Sequence, residues 1–349
     1  MPPTPAADLE QFKFWHLHPQ VRMGTASDRY GGWVGQIYSV ERYLGRINQR
    51  TKVVKEQTFT EQVLPVESVA EYFEYFSVLE IDFTFYRPLL DNNGKPTQNL
   101  KVLKTYSGHL RSGDTLVLKV PQGITAPKLR RGGQYQDNPT FLNAEAFTNQ
   151  FYRPATKLLG QHLQGFIFEQ EYLTKQDRPP VTEMAEALDT FFQEIPQDSR
   201  YHLELRTDLY LREPVFEVLE KHGVGQVLSH WTWLPPLRKQ LTKAGGRFFN
   251  AGKQCVIRLL TPLGMRYEDS YVQAFPFDEL VEGMVRPEMI LETVEIMRQG
   301  VEQGVLVNVI INNRAGGNAP LLAQMIARKF LRSITPVPKP KGQMSLWET

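Results

Sequence analysis

The sequence predicts an α/β protein folded as a (β/α)8 TIM barrel, a parallel eight-stranded closed sheet. Three observations carry that expectation. Eight short apolar runs recur after residue 20, each is followed by a helix-like stretch, and no run of consecutive strands breaks the alternation. Strands separated by helices pair in parallel, and eight such units over about 310 residues match a closed barrel with insertions. An open doubly wound sheet is the rival. It usually has fewer strands and often a GxGxxG turn, which this chain lacks.

The runs come in order. "VRMG" (21–24) is the first, then a long Gly- and Tyr-containing connection and a helix at "VESVAEYFEYF" after Pro65. "VLEIDF" (78–83) precedes a helix over "TQNLKVLKTYSGHL", and "TLVLKV" (115–120) precedes a long basic loop and a helix near "NAEAFTNQFYRPATKLL". "GFIFEQ" (165–170), "YHLEL" (201–205) and "GQVLS" (225–229) lead into helices at "VTEMAEALDTFF", "PVFEVLEKH" and "LRKQLTKAG". "CVIRLL" (255–260) and "VLVNVII" (305–311) lead into "PEMILETVEIMRQGVEQ" and "APLLAQMIARKFL". The expected division is an N-terminal extension (1–19), one barrel domain (20–334), and a Pro/Lys-rich linker with a flexible tail (335–349).

Composition narrows the function classes. Of 349 residues, 41% are apolar and 22% charged, which is ordinary for a soluble globular protein. Lys+Arg is 40 and Asp+Glu is 38, a net charge of +2, so no global field draws the chain to nucleic acid or membrane. Cys255 is the one cysteine, which excludes an intrachain disulfide and suggests a reducing compartment. The N-terminus does not read as a secretory signal, and no apolar run approaches the roughly 20 residues of a membrane helix. A cytoplasmic protein is expected.

In such a barrel, chemistry gathers at the C-terminal strand ends. The second run offers Glu80 and Asp82, two residues apart and so on one face, with Thr84 and Tyr86 in the same register. The others offer Lys119, then Glu169, Gln170 and Glu171, then Glu204 and Arg206 with His202 deeper, then His230 and Trp231, Arg258, and Asn312 with Asn313. A self-neutralising interior network of ion pairs would account for some of these charges. A fold needing only stability would fill the interior with Val, Ile and Leu.

"NNRAGGNAP" (312–320) combines Arg314 and two glycines with Asn318 as a helix N-cap. It reads equally as a phosphate site at a helix start or as a capped turn. In the third loop Lys128, Arg130 and Arg131 would close over an anion or form a solvated surface. Cys255 and the histidines His16 and His18 fall at the opposite, stability end. No HExxH or Cys/His cluster is present, and no cofactor is required. A divalent metal would draw on Glu80, Asp82, Glu171, Glu204 and His230.

The segments "VRMGTASDRYGGWVGQIY", "VLEIDFTFYRP", "LKVPQGIT", "LELRTDLY", "VLSHWTWLP" and "NNRAGGNAP" resemble the YecE-like proteins (domain of unknown function 72) from about residue 20 to 332. The resemblance implies a TIM barrel and a site at Glu80, Asp82, Tyr86, Lys119, Glu204, Arg206, His230, Arg258, Asn312 and Asn313. It implies no reaction. Two departures bear on the first loop: "GTAS" is followed by "DRYGGW" where the family's commoner pattern is "GTSGW", and segment 41–64 is longer than usual.

Three functions compete. The first is an enzyme of hydrolase or isomerase type on an anionic, phosphate-bearing substrate. Here Glu80 and Glu204 act as acid and base, Asp82 and His230 assist, and Tyr86, Lys119, Glu171, Arg206, Arg258, Asn312, Asn313 and Asn318 bind substrate. The second is a nuclease- or repair-like protein that docks on the DNA sliding clamp through its tail. "QMSLW" (343–347) resembles clamp-docking peptides, with Gln343, Leu346 and Trp347 as anchors. The third is a non-catalytic ligand-binding barrel, whose mark would be a mouth with every charge paired.

Overall fold

In the computed structural model, residues 5–131 and 134–334 are described. Eight strands close into a barrel: β1 (Val21–Ala26), β2 (Val78–Ile81), β3 (Thr115–Lys119), β4 (Leu163–Gln170), β5 (Tyr201–Leu205), β6 (Gly225–His230), β7 (Gln254–Leu259) and β8 (Leu306–Ile311). Each pairs in parallel with its sequence neighbours, and β8 pairs with β1 to close the ring. All eight expected runs are strands.

Closure depends on one close approach. A Cβ on Gly24 of β1 would lie 1.9 Å from the Val78 carbonyl oxygen of β2. Only glycine fits there.

The alternation along the strands builds two apolar layers. Outward residues such as Phe166, Phe168, Tyr201 and Leu203 pack with the surrounding helices in one continuous core. Inward, Ala26, Val78, Val117, Ile167, Val227, Val256 and Ile310 form a separate plug across the barrel. On β5 the inward positions are polar, His202 and Glu204, both fully buried. Cys255 is buried in the outer core near the start of β7, and burial pushes its thiol up to about 12.

Segment 5–19 packs onto this barrel. Leu9, Phe14 and Leu17 are buried in the outer core, and Gln324 of the last helix donates to the Leu9 carbonyl at 2.6 Å.

Two expectations need correction. Consecutive strands do occur, in two antiparallel hairpins outside the barrel: Asn48–Val54 with Gln57–Val63, and Lys128–Arg131 with Gln134–Asp137. Loop seven also holds an unexpected helix, Tyr267–Ala274, before the expected Pro287–Glu302. The first hairpin leans on that helix: Phe59 packs edge-on to Tyr271 and Phe275, and the Tyr271 hydroxyl donates to Glu61 at 2.6 Å. Among the described residues, no helix is long and apolar enough to cross a membrane.

Candidate active site

The two-residue period of the strands places a polar side chain directly above each member of the inner plug. Val78 is followed by Glu80, Val117 by Lys119, Ile167 by Glu169, Val227 by Ser229, Val256 by Arg258 and Ile310 by Asn312. Of these, Glu80, Lys119, Glu169, Arg258 and Asn312 line the floor of a cavity of about 740 Å³ at the C-terminal mouth, and Ser229 and, on β5, Glu204 are fully buried next to it.

Arg258 is the centre of that floor. Its Nε and Nη2 donate to the two oxygens of Glu80 at 2.7 and 2.6 Å, and its Nη1 reaches Glu169 at 3.1 Å and also Glu204. Burial opposes the guanidinium's charge, but Glu204, Glu80 and Glu169 outweigh it and hold Arg258 well above its ordinary range. Burial likewise pushes Glu80 up, against the opposing pull of its two-point bond to Arg258. Glu169 also binds Lys119 at 2.6 Å and Arg206 at 2.9 Å. Burial works against its charge too, yet Arg206, Lys119 and Arg258 prevail and keep it well below the usual carboxylate range. Glu204 accepts from Ser229 Oγ at 2.6 Å and from Arg206 Nε at 3.4 Å. Three carboxylates thus face three cations.

The cations are not equally occupied. Arg258 commits nearly all its donors to carboxylates. Lys119 makes one such bond and lies 3.8 Å from the centre of the Phe85 ring. An ammonium has three donors, so Lys119 keeps hydrogens for a ligand. Arg206 likewise has donors to spare, and its guanidinium lies 5.1 Å from the centre of the Trp231 ring.

Besides Glu61, which is paired with Tyr271 and Arg50, three acids border the cavity outside this network. Asp82 follows β2, Glu171 follows β4, and neither side chain has a hydrogen bond or ion pair among the described residues. Burial and the nearby Glu169 raise the Glu171 carboxyl. Asp28 lies two residues beyond Ala26, the β1 counterpart of the other floor positions, and is 1% exposed. Its Oδ1 accepts from the Tyr106 hydroxyl at 2.8 Å, and its Oδ2 is buried with no partner among the described residues. Burial pushes its pKa up to about 6, against Arg29 and the Tyr106 bond, with Asp82 adding to the rise. Asp28 is not legible as a strand-end residue, because β1 ends at Ala26 and Ser27 takes φ +77.

Several expected site residues lie elsewhere. On β6, Val227, Ser229 and Trp231 alternate inward, so His230 faces out. His230 is buried, Nδ1 lies 2.8 Å from the Thr261 carbonyl, and burial lowers its pKa to about 4. Glu204 is fully buried next to the floor rather than on the cavity wall.

Asn313 accepts from Trp33 Nε1 and the Ala319 amide, and Asn318 from the Leu321 amide while donating to the Phe277 carbonyl. Both are structural caps that occupy the start of helix Ala319–Ile334. The turn before it is closed, since a Cβ on Gly317 (φ +103) would meet the Glu279 carbonyl oxygen at 2.3 Å. Asn312 borders the cavity and caps the Arg314 amide at 3.0 Å.

β2 ends at Ile81, and a tight turn over Phe83–Phe85 removes Thr84 and Tyr86 from the strand register. Thr84 instead donates to the Lys119 carbonyl at 2.7 Å, while Tyr86 borders the cavity and is largely exposed.

The expected metal set does not converge. Among the described residues no three His, Cys, Asp or Glu side chains are grouped to hold an ion. Glu80 and Glu204 are taken by Arg258, and His230 points away. In the basic loop, Lys128 pairs with Asp177. Gln343, Leu346 and Trp347 lie outside the described residues.

The first hairpin completes the cavity wall. It contributes Arg50, Thr51, Lys52 and Glu61, so the longer segment 41–64 helps shape the site.

Comparison places this architecture among known proteins. No curated protein matches the chain. Among solved structures, a DUF72 family protein from Thermotoga maritima matches with TM-score 0.52 and 14% identity, over 90% of this chain and 99% of that one. A DUF72 family protein from Enterococcus faecalis matches with TM-score 0.53 and 14% identity, over 92% and 99%. At this identity the likeness is one of fold. The family model described as "Protein of unknown function DUF72" matches residues 22–344. The chain therefore belongs to the DUF72 family.

Proposed function

We propose that the barrel mouth is an active site for acid–base chemistry on an anionic, phosphate-bearing substrate, of hydrolase or isomerase type. One observation carries this reading. Asp28, buried with one oxygen held by Tyr106 and the other unpartnered among the described residues, borders the same cavity as the donors of Lys119 and Arg206. A carboxyl with a pKa near 6 exchanges protons readily at neutral pH. Lys119 and Arg206 supply hydrogen bonds to an anion.

The roles shift from those expected of Glu80 and Glu204. Both are committed to Arg258, so their part is to fix the guanidinium and the floor. Asp28 takes the proton-transfer role, with the unpaired Asp82 and Glu171 as its partners. A self-balancing network accounts for the floor but leaves these three acids without a purpose, and Asp82, Glu171 and the Asp28 Oδ2, unpaired among the described residues, weigh against a non-catalytic barrel.

The test is a panel of phosphate monoesters offered to the wild type and to Asp28→Asn. Acid–base catalysis contributes about 10²–10⁴-fold. Turnover by the wild type that drops at least about a hundredfold in the variant, with substrate binding retained, is the expected result. Equal rates in both proteins would remove Asp28 from the chemistry.

A further inference from the structure

The mouth opens onto a row of aromatic rings that neither the ion network nor the proposed acid–base chemistry uses. Trp231 forms part of the cavity wall. Tyr172 lies beyond it at 6.1 Å between ring centres, and Trp233 lies 6.1 Å from Tyr172. Tyr172 is 40% exposed and Trp233 47%. The row is held in place: Arg178 donates to the Leu173 carbonyl at 2.6 Å and to the Tyr172 hydroxyl at 3.2 Å, and its guanidinium lies 5.4 Å from that ring's centre. At the inner end Arg206 lies near Trp231 and bonds Glu169 and Glu204.

Exposed rings grouped in one patch mark a binding surface, as scattered ones do not. The polar groups beside these rings select among ligands. Here the groups at the ring faces are guanidiniums, which favour a flat π-system linked to an anion. Each base has such a face, and stacking on tryptophan or tyrosine tolerates any of them. The row also runs continuously into the cavity wall at Trp231, beside Arg206.

We infer that the site takes a nucleotide unit: the base stacks on Trp233 and Tyr172 at the lip, and its phosphate enters the mouth toward Arg206 and Lys119. This deepens the reading of the mouth as a phosphate-ester site and rests on it. A cavity of about 740 Å³ lies within the range that holds a small ligand.

The experiment is calorimetric titration of the full chain with inorganic phosphate, ribose phosphate and adenosine monophosphate. It is run on the wild type, on Trp233→Ala and on Tyr172→Ala; both side chains are substantially exposed, so the fold should tolerate their loss. Base stacking should make the wild type bind adenosine monophosphate at least about tenfold more tightly than ribose phosphate. Each variant should lose most of that advantage while its affinity for ribose phosphate stays unchanged. A short single strand with a 5′ phosphate, titrated alongside, separates a free nucleotide from a strand end, since the same rings would read either. Equal affinity for the two monophosphates, or an advantage that survives both substitutions, overturns the inference and leaves the phosphate site standing. Failure of all three ligands to bind overturns both.

Discussion

Arg258 and Glu80 meet across the barrel mouth in a two-point bond, at 2.7 and 2.6 Å, although 178 positions separate them in the chain. Both are buried, so removing one partner strands the other's charge. Glu80→Gln is expected to cost about 3–5 kcal/mol. Arg258→Met should cost at least as much, because it removes the cation that three buried carboxylates share and leaves Glu80 without its partner. Their effects are coupled, so the double variant should lose less than the sum of the two. Urea denaturation midpoints measure this, and strict additivity would show that the pair does not interact.

Asp28 makes stability depend on pH in an unusual direction for a carboxylate. Its pKa rises from 3.8 unfolded to about 6 folded, an ionisation cost of ~3 kcal/mol. Between those values the folded state holds the proton and the unfolded state has lost it. Stability from this group is therefore full below pH 3.8 and is lost as pH rises through 6. Asp28→Asn cannot ionise, so it should gain on the wild type across that window. Thermal melts at several pH values test this, and carboxyl-carbon NMR should place the Asp28 midpoint near 6.

What was legible in the chain follows from periodicity. The eight barrel strands are nearly continuous apolar runs, the pattern of strands buried on both faces. The floor was legible for the same reason: Glu80, Lys119 and Arg258 each stand two residues after an inward valine. The hairpin 48–63 was not legible, because it is largely polar. It also turns through Lys55 and Glu56 at φ +49 and +64, without the Gly or Asn that usually marks such a turn. Asn313 and Asn318 looked like ligand groups because capping and anion binding use the same residue types. Only the contacts of the folded chain tell the two uses apart.

The hairpin's hold on the mouth runs through Glu61. Its carboxylate joins Tyr271 and Arg50, and burial, which opposes its charge, is outweighed by these bonds, so its pKa is lowered. Tyr271→Phe removes the hydroxyl while keeping the ring against Phe59. The expected loss is about 1 kcal/mol. Amide exchange should quicken in residues 48–63 while the barrel strands stay protected. Uniform quickening throughout the barrel would instead mean that the hairpin is integral to the fold.

His230 and Trp231 are adjacent yet face opposite sides of the barrel wall, and their variants should separate stability from binding. His230 packs outward with Nδ1 on the Thr261 carbonyl. His230→Ala should destabilise the protein by about 1–3 kcal/mol and leave phosphate affinity unchanged. Burial lowers its pKa from 6.5 to about 4, so the neutral ring's contribution is full above 6.5 and is lost as pH falls toward 4. The cost of the substitution should therefore shrink over that range. Trp231→Ala should do the reverse, weakening ligand binding at the mouth with a smaller effect on the melting temperature. A His230→Ala protein that is stable but cannot bind phosphate would return that histidine to the site.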